Sequence, residues 1–442
     1  MSEHRKTLSD LSQLSDLSQS VKKVARRTFL KTASAGVATW GVSPYFVPAS
    51  AFGANERIVT GHIGTGGRGC SLLQGHLRNA AIVCDVDQSH LADAVKLCHD
   101  AGQTVDAVSD YRRLLDRRDV DVVIVATPDH WHAMATIHAI ESGKDVYCEK
   151  PLSLTIAEGR RMVTVARKHQ RIVQTGTQQR SDPLFRKAVE IVRSGKMGSL
   201  KEILVGVPNV RFRGTKVPDS APPAELDYDF WLGPAPWRPY NQNRTHYNFR
   251  YFRDYAGGQI TNWGAHHLDV ALWALDADQS GPLTVEGRGK FEGGGLYDVC
   301  SSCRATLQFA NGVNVVVGQL QPDIPLGLTF VFENAKLLVD RDALKTEPAE
   351  LLATLSNVHV SSVAVSNNHD QNFLDCVKSR ELPISDVETG HRSATLCHLA
   401  NIAIELGRRL NWNPLTERFE GDAAANDQLT RPYRDPWNFA PL

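Results

Sequence analysis

From Arg57 onward, runs of β-branched and other apolar residues alternate with amphipathic stretches. Ile58–Ile63, Ala81–Cys84, Val105–Val108, Asp121–Ala126, Asp145–Cys148 and Ile172–Gln174 read as strands. Helices are expected from the glycine-rich stretch at 64–69 to about Leu77, and from after Asp87 through Leu97. Further helices are expected over Tyr111–Arg117, over Trp131–Ser142 with Gly143 just past its end, and over Thr155–His169. Strands that are apolar throughout, rather than alternating, are covered on both faces, which predicts a doubly wound parallel sheet. After about Gly176 the texture changes. Residues 207–262 are rich in Pro, Trp, Tyr and Asn and read as a long irregular, substrate-facing insertion. Leu283–Gly289, Cys300–Phe309, Val313–Gln319, Leu328–Glu333 and Lys336–Val339 then read as antiparallel strands, with Asn311-Gly312 as a hairpin turn. Helices return at Asp370–Ser379 and Glu388–Leu410. The expected fold is α/β, with a doubly wound domain over 56–176 and an α+β domain over 177–442 built on an open, mainly antiparallel sheet.

The chain before Arg57 has a different pattern. Arg26-Arg27-Thr28-Phe29-Leu30-Lys31 precedes an apolar stretch from Thr32 to Val47, and Ala49-Ser50-Ala51 offers a small-residue cleavage site. The pattern resembles a twin-arginine export signal, so residues 1–51 are set aside from the fold. The expected partner is the twin-arginine translocase, and the expected location is the periplasm or another exported compartment. The apolar stretch is short and broken by Gly36, Gly41 and Pro44, so no stable membrane span is expected after processing.

Basic and acidic residues balance over the whole chain, but residues 1–51 hold seven Lys/Arg against three Asp/Glu. The remainder is mildly acidic, which argues against a nucleic-acid binder and for a small-molecule enzyme. Of the eight cysteines, Cys84 and Cys148 end apolar strand-like runs, and Cys376 and Cys397 fall on helix-like stretches, which reads as small buried residues. Cys300-Ser-Ser-Cys303 lacks a second pair and nearby histidines, so no metal site is expected.

Gly64-x-Gly66-x-x-Gly69 follows a predicted strand and opens a helix, and Asp85 stands 21 residues after Gly64 at the next strand's end. That context makes it a dinucleotide-binding (Rossmann) fingerprint. Gly64 permits the turn, and Gly66 and Gly67 leave room for a pyrophosphate on the helix N–H groups. Gly69 allows helix–sheet packing. Asp85 would accept from an adenosine ribose and repel a 2′-phosphate, which favours NAD. Arg68 would offset that repulsion, so NADP stays open.

Four further stretches join the glycine loop: Ala126-Thr127-Pro128-Asp129-His130-Trp131-His132, Glu149-Lys150-Pro151, Gly176-Thr177-Gln178-Gln179-Arg180 and Trp263-Gly264-Ala265-His266-His267-Leu268-Asp269. Together they resemble the glucose-fructose oxidoreductase / inositol dehydrogenase / rhizopine-catabolism (Gfo/Idh/MocA) family, and within it the exported branch with a Bacteroidetes-type C-terminal domain. The resemblance implies NAD(P)-dependent oxidation or reduction of sugars, sugar derivatives or cyclitols. It also implies an open sheet that often mediates dimers or tetramers. Lys150 and His266 take the catalytic positions. Asn262 stands where family dehydrogenases commonly carry Asp, so the position accepts hydrogen bonds but carries no charge. Thr127, Pro128, His130, Trp131 and Glu149 are expected around the nicotinamide, and Gln178, Arg180, Tyr247 and Trp263 around the substrate, with Arg250 and Tyr251 as further candidates. Three activities fit: a dehydrogenase with tightly held cofactor, a redox-neutral glycosidase or lyase working through a transient 3-keto intermediate, and a non-catalytic NAD-binding protein.

Overall fold

The structure, a computed structural model, describes residues 57–292 and 294–439; the expected export signal lies outside the described residues. The first half consists of β1 (Thr60–Ile63), α1 (Gly67–His76), β2 (Ala80–Cys84), α2 (Gln88–Asp100), β3 (Asp106–Val108), α3 (Tyr111–Leu115), β4 (Val122–Val125), α4 (Asp129–Glu141), β5 (Asp145–Cys148), α5 (Ile156–Lys168) and β6 (Val173–Thr175). Its six strands are all parallel, in the order β3-β2-β1-β4-β5-β6. β1, β4 and β5 are buried along their whole length; β4 is an uninterrupted apolar run, while β1 and β5 bury Thr60, His62 and Asp145 among apolar neighbours. The strand order reverses between β1 and β4, which opens a crevice at the carboxyl ends of the strands.

Local chemistry starts the helices. The Asp87 side chain accepts from the backbone N–H groups of Ser89 and His90 at α2, and Thr155 with Glu158 forms a capping box at α5. α4 begins at Asp129, two residues before the expected start at Trp131, with Pro128 as its N-cap.

The second half contains α6 (Pro183–Arg193), β7 (Leu200–Val207), α7 (Tyr228–Leu232), α8 (Gly258–Asn262), α9 (Gly264–Ala274), β8 (Thr284–Phe291), β9 (Cys300–Gln308), β10 (Asn314–Gln319), β11 (Gly327–Phe332), β12 (Lys336–Val339) and β13 (Leu344–Glu347). It ends with α10 (Leu351–Leu355), α11 (His369–Ser379), α12 (Val387–Leu406), β14 (Leu410–Asn413) and β15 (Arg418–Phe419). The nine-stranded sheet runs β13-β12-β11-β7-β10-β9-β8-β14-β15 and is antiparallel except where β7 meets β10. β7 was not expected, because Lys201 and Glu202 interrupt its apolar pattern; Ile203, Val205 and Val207 bury its core-facing side. The expected helix to Leu410 is too long. Gly407 at φ +64 ends α12, and Leu410 starts a strand.

The C-terminal helices also pack against the first sheet. Phe373 and Cys376 of α11 join a cluster with Ile58, Val122, Tyr147 and Ile172. Arg160 on α5 pairs with Glu388 on α12 and with Glu417. This docking brings α8 and α9 to the open crevice.

Candidate active site

The loop between β1 and α1 is built by exclusion. Gly64 sits at φ +85, where a Cβ would lie 2.8 Å from Ala126 and Thr127 backbone atoms. A Cβ at Gly69 would meet the Gly64 carbonyl oxygen at 1.9 Å, so this glycine lets α1 press on β1. A Cβ at Gly67 would meet nothing within 4 Å, leaving space over the helix N-terminus. Asp85 steadies the loop: its carboxylate accepts from Thr65 N–H (2.7 Å), Thr65 Oγ1 (3.3 Å) and Asp87 N–H (2.9 Å). These occupy three of the roughly four acceptor sites of a carboxylate and leave one for a ribose.

A cavity of about 700 Å³ runs from this loop into the second domain, within the range of cofactor and ligand sites. At its inner end Lys150 follows β5. Its Nζ donates to the Asn262 carbonyl oxygen (2.8 Å) and to Asn262 Oδ1 (3.0 Å). Asn262 Nδ2 in turn donates to Gln259 Oε1 (3.0 Å), which fixes the amide's orientation because lysine offers only donors. Burial pushes the Lys150 amine down to about 8, against the opposing pull of Glu149 and Asp129. His266, on α9, lines the same end. Burial, then the Lys150 charge, hold its imidazole well below the usual range, so it is neutral. Its Nδ1 is buried with no partner among the described residues, as are Oε1 of Gln178 and Oγ1 of Thr127, two other residues that line the cavity. Buried polar atoms without partners in a cleft await a ligand.

Gly64, Gly66, Gly67, Arg68, Asp85, Thr127, Pro128, Trp131, Glu149, Lys150, Gln178, Tyr247, Asn262, Trp263 and His266 line this one cavity, far apart as they are in sequence. Four expected site residues do not: Gly69, which packs α1 against the Gly64 carbonyl, Tyr251, which is buried with its hydroxyl oxygen accepting from Arg211 N–H (3.0 Å), His130 and Arg180. His130 turns away: its Nε2 lies 3.0 Å from the Trp231 carbonyl oxygen, and its ring packs on Trp231 and Tyr255. Arg180, expected at the substrate, is buried in ion pairs with Asp269 (2.8 Å) and Asp278 (2.7 Å). Arg68 donates to Glu149 at 2.7 Å, so each satisfies the other at the cavity wall.

Other residues line the cavity too, of which only Arg250 was an expected site candidate. Asp129 opens α4, and burial raises its carboxyl. His132 ties two loops together, its ring nitrogens 2.7 Å from the Pro151 oxygen and 2.9 Å from the Thr127 oxygen. Arg213, Arg250 and Arg341 enter from loops and a short helical turn. At the adenosine end His246 Nε2 lies 3.3 Å from Asp87 Oδ2. Ligand atoms of Asp87, His90 and His246 come within 4.8 Å of one another, a grouping the sequence did not suggest.

Two family models match: an oxidoreductase family NAD-binding Rossmann fold over residues 60–177 and the C-terminal alpha/beta domain of the same oxidoreductase family over residues 209–439. The chain belongs to the Gfo/Idh/MocA oxidoreductase family. Its first domain is an NAD-binding Rossmann domain of that family. Among curated Gfo/Idh/MocA relatives, "Uncharacterized oxidoreductase YrbE" of Bacillus subtilis is 33% identical over 144 residues, 33% of this chain and 42% of that protein. Levoglucosan dehydrogenase of Pseudarthrobacter phenanthrenivorans is 28% identical over 212 residues, 47% of this chain and 51% of that protein. The chain thus spans about half or less of the length of these relatives. The WlbA dehydrogenase from Chromobactrium violaceum, crystallised with NADH and UDP-GlcNAcA, shares the fold with TM-score 0.60 at 19% identity, covering 81% of this chain and 96% of that one. No helix among the described residues is long and apolar enough to cross a membrane.

Proposed function

We propose that this protein is an NAD-dependent oxidoreductase acting on a CH–OH group of a sugar, sugar derivative or cyclitol. The observation that carries the reading is the buried Lys150 amine, tuned to about 8 and seated with neutral His266 beside the glycine loop. The residues fit the cofactor: Gly64–Gly69 and the α1 N-terminus would hold its pyrophosphate, Asp85 its adenosine ribose, and Thr127, Pro128, Trp131 and Glu149 its nicotinamide half. Bound there, NAD supplies the hydride acceptor. Lys150, when neutral, takes the hydroxyl proton at Nζ. Asn262 holds Nζ through two neutral acceptors, and burial is what lets the amine be neutral near physiological pH. His266 orients the hydroxyl, and Trp263 and Tyr247 offer faces to the ring. Lys150→Met is expected to slow hydride transfer by about 10²–10⁴-fold, read as NADH absorbance across a panel of sugars and cyclitols. An unchanged rate would sink the role.

The same reading includes export and a retained cofactor. The Arg26-Arg27 signal suggests the twin-arginine route, which carries folded proteins, and an exported enzyme needs its NAD loaded beforehand. Denaturing purified protein and assaying the supernatant tests this: near-stoichiometric NAD is expected, and a trace amount refutes tight retention. Replacing Arg26 and Arg27 by Lys and fractionating cells tests the route, with retention in the cytoplasm expected.

Asp129 favours a second reading, the redox-neutral glycosidase. A lining carboxyl whose affinity for its proton is raised by burial suits protonation of a leaving group. Aglycone release from glycosides without added cofactor, lost in Asp129→Asn, is its expected signature.

A further inference from the structure

The reacting end of the cavity has an uneven charge balance. Four acidic residues line the cavity: Asp85, Asp87, Asp129 and Glu149. Asp85 and Asp87 sit at the adenosine end, where Asp85 holds the Thr65 loop and Asp87 caps α2 and meets His246. Glu149 is neutralised by Arg68. Only Asp129 is left to face Lys150, Arg213, Arg250 and Arg341 among the described lining residues. None of those three arginines has a carboxylate ion-pair partner there, although arginine–carboxylate pairs are common elsewhere in the described chain.

The guanidinium groups are nonetheless held in place. Arg213 lies over the Tyr247 ring, 3.7 Å from its centroid. Arg250 lies 5.0 Å from the same centroid and 4.5 Å from that of Phe249, and donates to the Tyr247 carbonyl oxygen at 2.9 Å. Arg341 stacks on Trp263 at 4.7 Å, on the His266 side. Stacking on an aromatic face orients a guanidinium plane and leaves its edge N–H donors free. Such donors match the oxygens of a carboxylate, phosphate or sulfate, which they bind in pairs.

We propose that the substrate of this site carries a fixed negative charge, a carboxylate or a phosphate or sulfate ester, seated between Arg250 and Arg341. The proposal deepens the oxidoreductase reading and rests on it for the identity of the reacting carbon. The charge positions the sugar, and Lys150 and His266 then meet one hydroxyl. A neutral polyol would leave these guanidinium groups without an anionic partner.

The test is calorimetric titration of the NAD-containing protein with a neutral hexose, the matching uronate, and the matching phosphate and sulfate esters. At low ionic strength at least one charged probe is expected to bind about tenfold or more tighter than the neutral hexose, a difference of about 1.4 kcal/mol. The advantage should shrink at about 1 M salt, where screening reaches about 3 Å. Arg250→Gln and Arg341→Gln should each remove most of it while bound NAD per protein stays constant. Which charged probe binds distinguishes carboxylate from phosphate or sulfate. Equal binding of charged and neutral sugars, or no binding of any charged probe, overturns the proposal. So does loss of bound NAD in the variants, because the arginines would then serve the cofactor's pyrophosphate. A charged probe that binds but is never oxidised would instead count against the oxidoreductase reading. Oxidation of neutral polyols with no gain from charge would leave that reading intact and overturn this one.

Discussion

Asn262 sets the chemistry of Lys150 by withholding a charge. A carboxylate at the same position would accept the same hydrogen bonds and also stabilise the ammonium form. Asn262→Asp is therefore expected to raise the Lys150 pKa above about 8. Turnover by a neutral amine rises with pH through that pKa, so the rising limb of the pH–rate profile should move to higher pH in the variant, with little change in KM. An unmoved limb would show that another group controls the profile. Arg180 illustrates the opposite case, a charge that is structural. It is fully buried between Asp269 and Asp278. Arg180→Met strands the Asp269 carboxylate in the core and should cost about 3–5 kcal/mol, read as a lower urea midpoint with NADH formation per folded molecule unchanged. Lys150, Asn262 and His266 were legible in the sequence because each stands beside a motif at a strand or helix end. Arg180 stood beside one too, but its partners lie 89 and 98 residues away and nothing local announces them. Asp129 stands inside one of the motifs but was given no site role, and Arg213 and Arg341 were missed because only the packing of the second domain points them at the cavity.

The contact between β1 and α1 is the element most sensitive to a single atom. Gly69→Ala places a Cβ against the Gly64 oxygen, and α1 must move away from the strand it covers. Overpacking of this kind costs about 1–3 kcal/mol, and the shift also opens the anion-binding N-terminus. Both bound NAD and the urea midpoint should fall. Gly67→Ala is the internal control, since its Cβ meets nothing within 4 Å and the fold should be kept. Equal behaviour of the two variants would contradict the packing account. The Rossmann elements were legible because strands such as β2 and β4 are written as apolar runs and the glycine loop marks the end of β1. The second sheet was only partly legible. In β7, Lys201 and Glu202 interrupt one face each, and β13, β14 and β15 are short strands at the sheet's two edges, where a few pairings outweigh a weak local pattern.

At the scale of the whole molecule, the second domain closes the adenosine end of the first. Gln88 N–H donates to the Glu225 oxygen (2.9 Å), Asp227 N–H donates to the Val86 oxygen (3.0 Å), and Asp87 pairs with Leu226 in an isolated bridge. His246 adds its contact with Asp87 and an edge-on contact with His90. The β2–α2 turn that would hold the ribose is thus clasped by an insertion more than 130 residues further along the chain. A cofactor seated beneath that clasp leaves only when the clasp opens, so dissociation should be governed by these contacts rather than by the glycine loop alone. His246 is partly exposed, and burial, then the His90 charge, lower its pKa; when it is lost, the buried Asp87 carboxylate keeps its hydrogen bonds from the Ser89 and His90 N–H groups. His246→Ala should therefore release NAD severalfold faster during gel filtration or dialysis while the thermal midpoint of the NAD-free protein stays nearly constant. Unchanged NAD retention in that variant would place the barrier to release in the glycine loop and the nicotinamide pocket instead.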